Sequence, residues 1–268
     1  MVSLPSLPTF LQPRPLVDMR LTRVFVDLDL KLGQMVELDT TVNQYLTKVL
    51  RLKPNDRVAL FNGKCHADFI GLIDKLKRNS LQIKLLDKVE KITDSTLLTH
   101  IIQAISRSDH IDFSIQKASE LGVSSLIFFN SEFTQSPVKT SNLDRKLQHW
   151  QNIAIKACEQ SGRHFIPHIL FYKNLQLALQ TLPIEARRIL LDLSGNDLID
   201  NNWQKQNLEN YILLGNEGGL SQEEISLAAN EGFISYQLGP RVLRTETAAI
   251  AALAVIQYQL GDMKKTSS

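Results

Sequence analysis

Near the carboxyl end of these 268 residues, two segments of the same design constrain the fold more than anything else in the chain. The first runs Leu213-Leu214-Gly215-Asn216-Glu217-Gly218-Gly219-Leu220-Ser221, the second Gln237-Leu238-Gly239-Pro240-Arg241-Val242-Leu243-Arg244-Thr245-Glu246-Thr247-Ala248-Ala249. Each reads as a buried strand, a glycine-bearing loop and a helix start. Two such units set their loops side by side at the carboxyl ends of the strands, where open α/β sheets bind ligands. In the first unit the glycines remove the Cβ atoms that would keep a ligand away from main-chain amides and carbonyls, which suits a flat heterocycle. Ser221 and Glu224 have capping-box spacing, worth about 1 kcal/mol, so the helix start is pinned, and the helix is expected to end near Gly232. In the second unit Phe233 to Leu238 read as a strand and Gly239-Pro240 as a turn, with Thr245 as the cap of an alanine-rich helix. Ala248, Ala249, Ala251, Ala252 and Ala254 give that helix a thin face against which another backbone can lie. Neither loop is a Walker A sequence or a G-x-G-x-x-G fingerprint. Taken singly, either loop reads equally well as a plain tight turn; the pair carries the inference.

The rest of the chain changes character once. Short strands are expected at Val24 to Val26, Met35 to Leu38, Arg57 to Phe61, Cys65 to Ile73 and Leu81 to Leu86, with Asn62-Gly63 as a type I′ hairpin signal. From Leu97 the pattern alternates. Leu98 to Ile105 reads as a strand, Asp109 to Leu121 as a helix stopped by Gly122, and Val123 to Phe129 as a strand. Leu143, Leu147, Trp150, Ile153, Ala154 and Ala157 follow the 3.6-residue period of a long amphipathic helix. Arg188 to Leu193, Tyr211 to Leu214 and Ile234 to Leu238 add strands. The expected organisation is a small β-barrel over 19–90, a polar boundary at 89–96, and an α/β domain with a mostly parallel sheet over 96–262. Residues 1–18, with Pro5, Pro8, Pro13 and Pro15, read as a disordered extension or the product of an upstream start codon. With no basic residue before the apolar run, they do not fit a signal peptide.

Composition excludes several classes. No apolar stretch reaches the roughly 18 to 20 residues of a membrane span. Cys65 and Cys158 are isolated, which fits a reduced cytoplasmic compartment and not a disulfide scaffold. The six histidines lack zinc-site spacing and read as surface or loop residues, so no metal is expected. The net charge of +2 hides an asymmetry: through residue 95 there are 15 Lys plus Arg against 11 Asp plus Glu, and from 96 onward 15 against 17. The surplus includes Arg51, Lys53, Arg57, Lys75, Lys77 and Arg78, a weak phosphate-binding signal that a solvated basic face explains as well.

The two loops resemble those of the SPOUT methyltransferases, specifically the RsmE family of 16S rRNA uridine-N3 methyltransferases, with G-P-E-G-G and L-G-x-x-I-L-R-x-E-T-A strings. Gln116 to Val123 are similar to that family's Q-K-x-x-E-L-G-V, and Trp150 with Glu159-Gln160-Ser161-Gly162-Arg163 to its R-W…E-Q-S-x-R. Val49-Leu50-Arg51 and Phe61-Asn62-Gly63 resemble V-L-R and F-D-G, so the likeness spans roughly Met19 to Leu260. Departures are Asn216 for Pro, which leaves the loop less rigid, Tyr45 for His, Phe133 for Arg and His149 for Arg. The last two remove cations that would face RNA.

The resemblance implies a PUA-like barrel for RNA binding, a SPOUT domain with a C-terminal trefoil knot, and a homodimer. It implies methyl transfer from S-adenosylmethionine to N3 of uridine 1498 in 16S rRNA of the small subunit. Leu191, Leu214, Gly215, Asn216, Glu217, Gly218, Gly219, Leu238, Gly239, Leu243, Arg244 and Thr245 would hold the cofactor, and Arg20, Arg23, Arg51, Lys53 and Arg57 would contact RNA. The N3 proton has to leave and the developing negative charge needs a partner. Arg163 or Arg244 is expected to supply that partner, Arg163 having no local acid except Glu159, and Glu217 to accept the proton. Glu217 as a loop-orienting residue and Arg244 as a salt bridge to Glu246 or Glu217 are the open alternatives. Another SPOUT reaction, such as ribose 2′-O methylation, and a non-catalytic RNA-binding protein also stay open.

Overall fold

The computed structural model describes residues 21–38, 40–76, 80–198 and 209–264. The 1–18 extension, Arg20, Lys77 and Arg78 lie outside the described residues.

The first part builds one five-stranded sheet in the order β1-β3-β4-β5-β2, from β1 (Thr22–Phe25), β2 (Met35–Leu38), β3 (Arg57–Phe61), β4 (Ala67–Leu76) and β5 (Leu81–Glu90). β1 runs parallel to β3 and the remaining pairs are antiparallel. β2 shows why it forms: its exposure alternates, with Val36 and Leu38 inward and Met35 and Glu37 outward, the period of a half-buried strand. Val24, Leu46, Val58, Leu60, Ile73, Leu81 and Ile83 close a compact core on that face. A short helix α1 (Thr40–Gln44), continued by a π-helical turn over Tyr45–Val49, plugs Leu46 into it. The β3–β4 connection is longer than a two-residue hairpin. Asn62 keeps a negative φ, accepts from the Lys64 amide at 3.1 Å and donates to the Leu28 carbonyl at 3.2 Å, so its side chain ties two loops together.

The second part is a six-stranded sheet in the order β11-β9-β10-β6-β7-β8, in which every pairing is parallel. Its strands are β6 (Thr99–Ala104), β7 (Ser125–Phe129), β8 (His168–Tyr172), β9 (Ala186–Asp197), β10 (Glu209–Leu214) and β11 (Ile234–Gln237). β6, β7 and β10 are buried almost throughout, as central parallel strands covered on both faces must be. Alternate residues serve opposite layers. Ile101, Leu126, Phe128, Ile212 and Leu214 meet α2 (Ser108–Glu120), α3 (Thr140–Ser161) and α6 (Thr245–Gln259). Ile102, Ile127, Phe129, Tyr211 and Leu213 meet α4 (Leu175–Leu179) and α5 (Gln222–Asn230). α3 ends at Gly162 in the left-handed region (φ 87°), the usual glycine stop. Trp150 on α3 is fully buried against Phe128.

The architecture is therefore α/β, a mostly parallel sheet between helix layers joined to a small, mainly antiparallel sheet. The thin face of α6 is real: Ala249 and Ala252 are fully buried where the helix crosses α2 and β10. Among the described residues no helix is long and apolar enough to cross a membrane.

Candidate cofactor pocket and the seam between the sheets

β9, β10 and β11 are neighbours, so their carboxyl ends open side by side. Between them lies a cavity of ≈ 400 Å³, within the usual range of small-molecule sites. Of the twelve residues expected at a cofactor, ten line it: Leu191, Leu214, Gly215, Asn216, Glu217, Gly219, Leu238, Leu243, Arg244 and Thr245. Gly218 and Gly239 shape the loops without facing the cavity. Asp192, Leu193, Tyr236, Gln237, Arg241, Val242 and Ala248 complete the wall. Most of these flank residues already singled out; Asp192 and Leu193 carried no signal beyond being at a strand end.

The glycine loop is held by specific contacts. A Cβ on Gly215 would sit 2.4 Å from the Gly219 carbonyl carbon, so the loop folds back on itself only because position 215 has no side chain. Gly219 adopts φ 77°, and its amide donates to the Asn216 carbonyl at 2.9 Å. Asn216 does the opposite of loosening the loop. Its Oδ1 accepts from the Gly218 amide at 2.9 Å, and its Nδ2 donates to Ser131 Oγ at 3.2 Å and the Ile105 carbonyl at 3.3 Å. The expected capping box at the start of α5 is complete, with Ser221 accepting from the Glu224 amide and Glu224 from the Ser221 amide. Glu224 also accepts from the Glu132 amide, and Phe133 packs against Gly218, so the loop after β7 braces the glycine turn. Thr245 is not the cap of α6. Arg244 holds that position without a side-chain bond, and Thr245 is the first helical residue, buried.

The cationic candidates separate. Arg244 lines the cavity, and among the described residues it makes no ion pair with Glu246 or Glu217, which removes the salt-bridge alternative. Arg163 belongs elsewhere. Its Nε donates to Asp94 Oδ1 at 3.0 Å and its Nη1 to the carbonyls of Ser119 (2.8 Å) and Val123 (3.0 Å). Val123 precedes β7, so Arg163 sits at the amino ends of the strands, about 17 Å from the carboxyl ends for a six-residue strand. It is only 6% exposed and locks one corner of the fold, so it is no partner for charge developing in the cavity of its own chain. The acid it uses lies 69 positions away.

Arg23 is corrected in the same way. Both its Nε and Nη2 reach Asp68 at 2.9–3.1 Å, and its guanidinium also donates to the carbonyls of Cys158 and Arg163. It joins the first sheet to the α3 end instead of facing RNA. His164 lies in the loop after α3 but is no surface histidine: at 1% exposure it stands 3.2 Å from Asp68 through Nε2 and 3.2 Å from Thr93 Oγ1 through Nδ1. Burial alone would raise the Asp68 carboxyl, but hydrogen bonds from His164 and Arg23 outweigh it and hold the group below its ordinary value of 3.8. His66, Asp94 and His164 approach the spacing of metal ligands. Asp94, however, is already committed to Arg163 and to the amides of His164 and Phe165. Burial drives the Cys158 thiol beside this seam up to about 11. Arg51, Lys53 and Arg57 remain exposed on the first sheet's side.

Residues Arg107 and His110 at the start of α2 were missed. His110, 7% exposed, contacts Glu217 at 2.9 Å. A histidine in an R-x-x-H turn gives no sign of which loop it will meet.

Comparison with known proteins fits this geometry. Residues 93–257 match the RNA methyltransferase domain, which defines the class. A ribosomal RNA small subunit methyltransferase E from Buchnera aphidicola (subspecies Schizaphis graminum) is 36% identical over 91% of this chain and 98% of its own length. A putative methyltransferase from Legionella pneumophila, solved in complex with bound SAM, superposes with TM-score 0.85 at 33% identity, covering 91% of this chain and 100% of that one. The ribosomal RNA small subunit methyltransferase E from Neisseria gonorrhoeae bound to S-adenosyl methionine gives 0.84 at 31% identity with the same coverage. The chain belongs to the ribosomal RNA small subunit methyltransferase E family.

Proposed function

We propose that the protein transfers a methyl group from S-adenosylmethionine to N3 of a uridine in 16S rRNA of the small ribosomal subunit. The observation that carries this reading is the meeting of two glycine loops around one cavity, in a chain 36% identical to a family member over nearly its whole length. The residues present fit the cofactor. Leu191, Leu214, Leu238 and Leu243 give an apolar slot, and Gly215 and Gly219 bring main-chain groups to its rim. When bound, the cofactor supplies a methyl carbon already activated by a sulfonium. The protein's task is to orient the reactants and exclude water. Arg244 faces the negative charge that develops on the uracil, and Glu217 accepts the N3 proton. Because N3 is on the pairing edge, the uridine reacts unpaired or flipped out.

The first sheet serves as a PUA-like RNA-binding unit over 19–90, with Arg51, Lys53 and Arg57 toward phosphates. The 96–262 unit carries the C-terminal trefoil knot and pairs with a second copy, and the protein works in the cytoplasm. The test is a reverse-transcription stop in 16S rRNA that disappears when the gene is deleted and returns with the intact protein but not with Glu217→Gln. A ribose methyl, which leaves the pairing edge free, or the absence of any mark would replace this reading. Calorimetry that finds no S-adenosylmethionine binding would end it.

A further inference from the structure

Four charged or titratable side chains meet at the edge of the cavity, and their hydrogen bonds fix where the protons are. Arg107 Nη2 lies 2.8 Å from His110 Nε2. A guanidinium only donates, so Nε2 accepts and the imidazole proton resides on Nδ1. That Nδ1 lies 2.9 Å from Glu217 Oε1 and 3.4 Å from Glu246 Oε2. Glu246, on the first turn of α6, is buried, and its Oε2 makes no hydrogen bond among the described residues. The remaining charge near the ring is the exposed Asp109, 3.8 Å from Nε2. One N–H thus stands between two carboxylates, one on the cavity wall and one enclosed behind it.

We infer that His110 is a positioning residue for Glu217: Arg107 fixes its tautomer, and its Nδ1–H, which stays on the ring throughout, aims the Glu217 carboxylate into the cavity and turns its hydrogen bond toward Glu246 when Glu217 takes up a proton. The inference rests on the reaction proposed above. The N3 proton of uracil passes to a Glu217 oxygen, the N3 electron pair forms the bond to the methyl carbon, and the carbon–sulfur pair stays on sulfur as a neutral thioether. Glu217 is then a neutral acid that accepts hydrogen bonds less strongly. Glu246 Oε2, 3.4 Å away, then accepts the His110 N–H hydrogen bond that Glu217 no longer holds as tightly.

The experiment uses the full-length protein with small subunits lacking the methyl mark, measuring kcat and the cofactor KM from neutral pH into the alkaline range where uracil N3 ionises unaided. Glu217→Gln is expected to lower kcat at neutral pH by about a hundredfold or more, the usual scale of a lost general base. His110→Ala is expected to lower kcat by about tenfold, the lower end of what misplacing a reacting group costs, with the cofactor KM unchanged. Both deficits shrink as pH rises, because the base is no longer needed. In the Glu217→Gln background, His110→Ala adds nothing. His110→Asn, whose amide N–H stands near the place of Nδ1, recovers most of the rate, and His110→Gln, whose amide lies nearer Nε2, does not. That pair decides the matter even if the alanine variant fails to fold. The inference is overturned by an equal loss in Asn and Gln, by a His110 deficit that is the same at every pH, or by effects that multiply with Glu217→Gln. A wild-type protein that leaves uridine N3 unmethylated overturns the proposed function instead.

Discussion

The cavity at the carboxyl ends of β9, β10 and β11 and the seam between the two sheets solve opposite problems with opposite materials. The cavity is made of glycines, leucines and main-chain groups, with Asp192, Glu217, Arg241 and Arg244 among its walls. The seam is made of ion pairs, Arg23 with Asp68 and Arg163 with Asp94, with His164 standing between the two carboxylates. An arginine in a motif looks catalytic because its charge is conspicuous. Here Arg163, expected at the reaction centre, and Arg23, expected at RNA, both hold the fold together instead.

That contrast can be broken by substitution. The largest expected effect is at the seam: Arg163→Ala leaves Asp94 buried without its partner and is expected to destabilise the protein by about 3–5 kcal/mol in chemical denaturation. An unchanged midpoint would return Arg163 to the list of free cations. Next, Gly215→Ala forces a methyl into the Gly219 backbone and is expected to cost about 1–3 kcal/mol of overpacking, read as weaker S-adenosylmethionine binding by calorimetry with the fold intact by circular dichroism. Wild-type affinity in that variant would mean the glycine turn does not shape the site. Smaller again, Ser221→Ala removes the cap of α5 and is expected to lower stability by about 1 kcal/mol, with a matching fall in melting temperature.

The last tests the seam by pH. Asp68 titrates below its unfolded value, so its contribution is complete at neutral pH and is lost as pH falls from 3.8 toward the lowered folded value. Replacing Asp68 by Asn should therefore flatten the acid limb of the stability curve. An unaltered acid limb in the Asp68 variant would assign acid unfolding to another group.

What the sequence disclosed follows the range of the physics involved. Tyr211 to Leu214, the Ser221–Glu224 box and the alanines of α6 are local patterns, and each is found where its spacing placed it. The strand β8 was missed because His168 to Tyr172 bury only partly and alternate weakly. The π-turn after α1 was missed because its cause is tertiary, Leu46 reaching the core of the first sheet. Asn216 was judged as a lost proline, since its partners Ser131 and Ile105 are 85 and 111 positions away. Arg163 and His110 failed for the same reason. A side chain's chemistry is legible from its type, but its employment depends on who stands opposite, and that is decided by the packing of sheets.

Arg23 gives that packing one more effect. From β1 it reaches three acceptors at the α3 end, and beside it the Phe25 amide donates to Glu159. The two halves of the molecule are thereby set like the jaws of locked calipers. These bonds set the distance between the first sheet and the cavity.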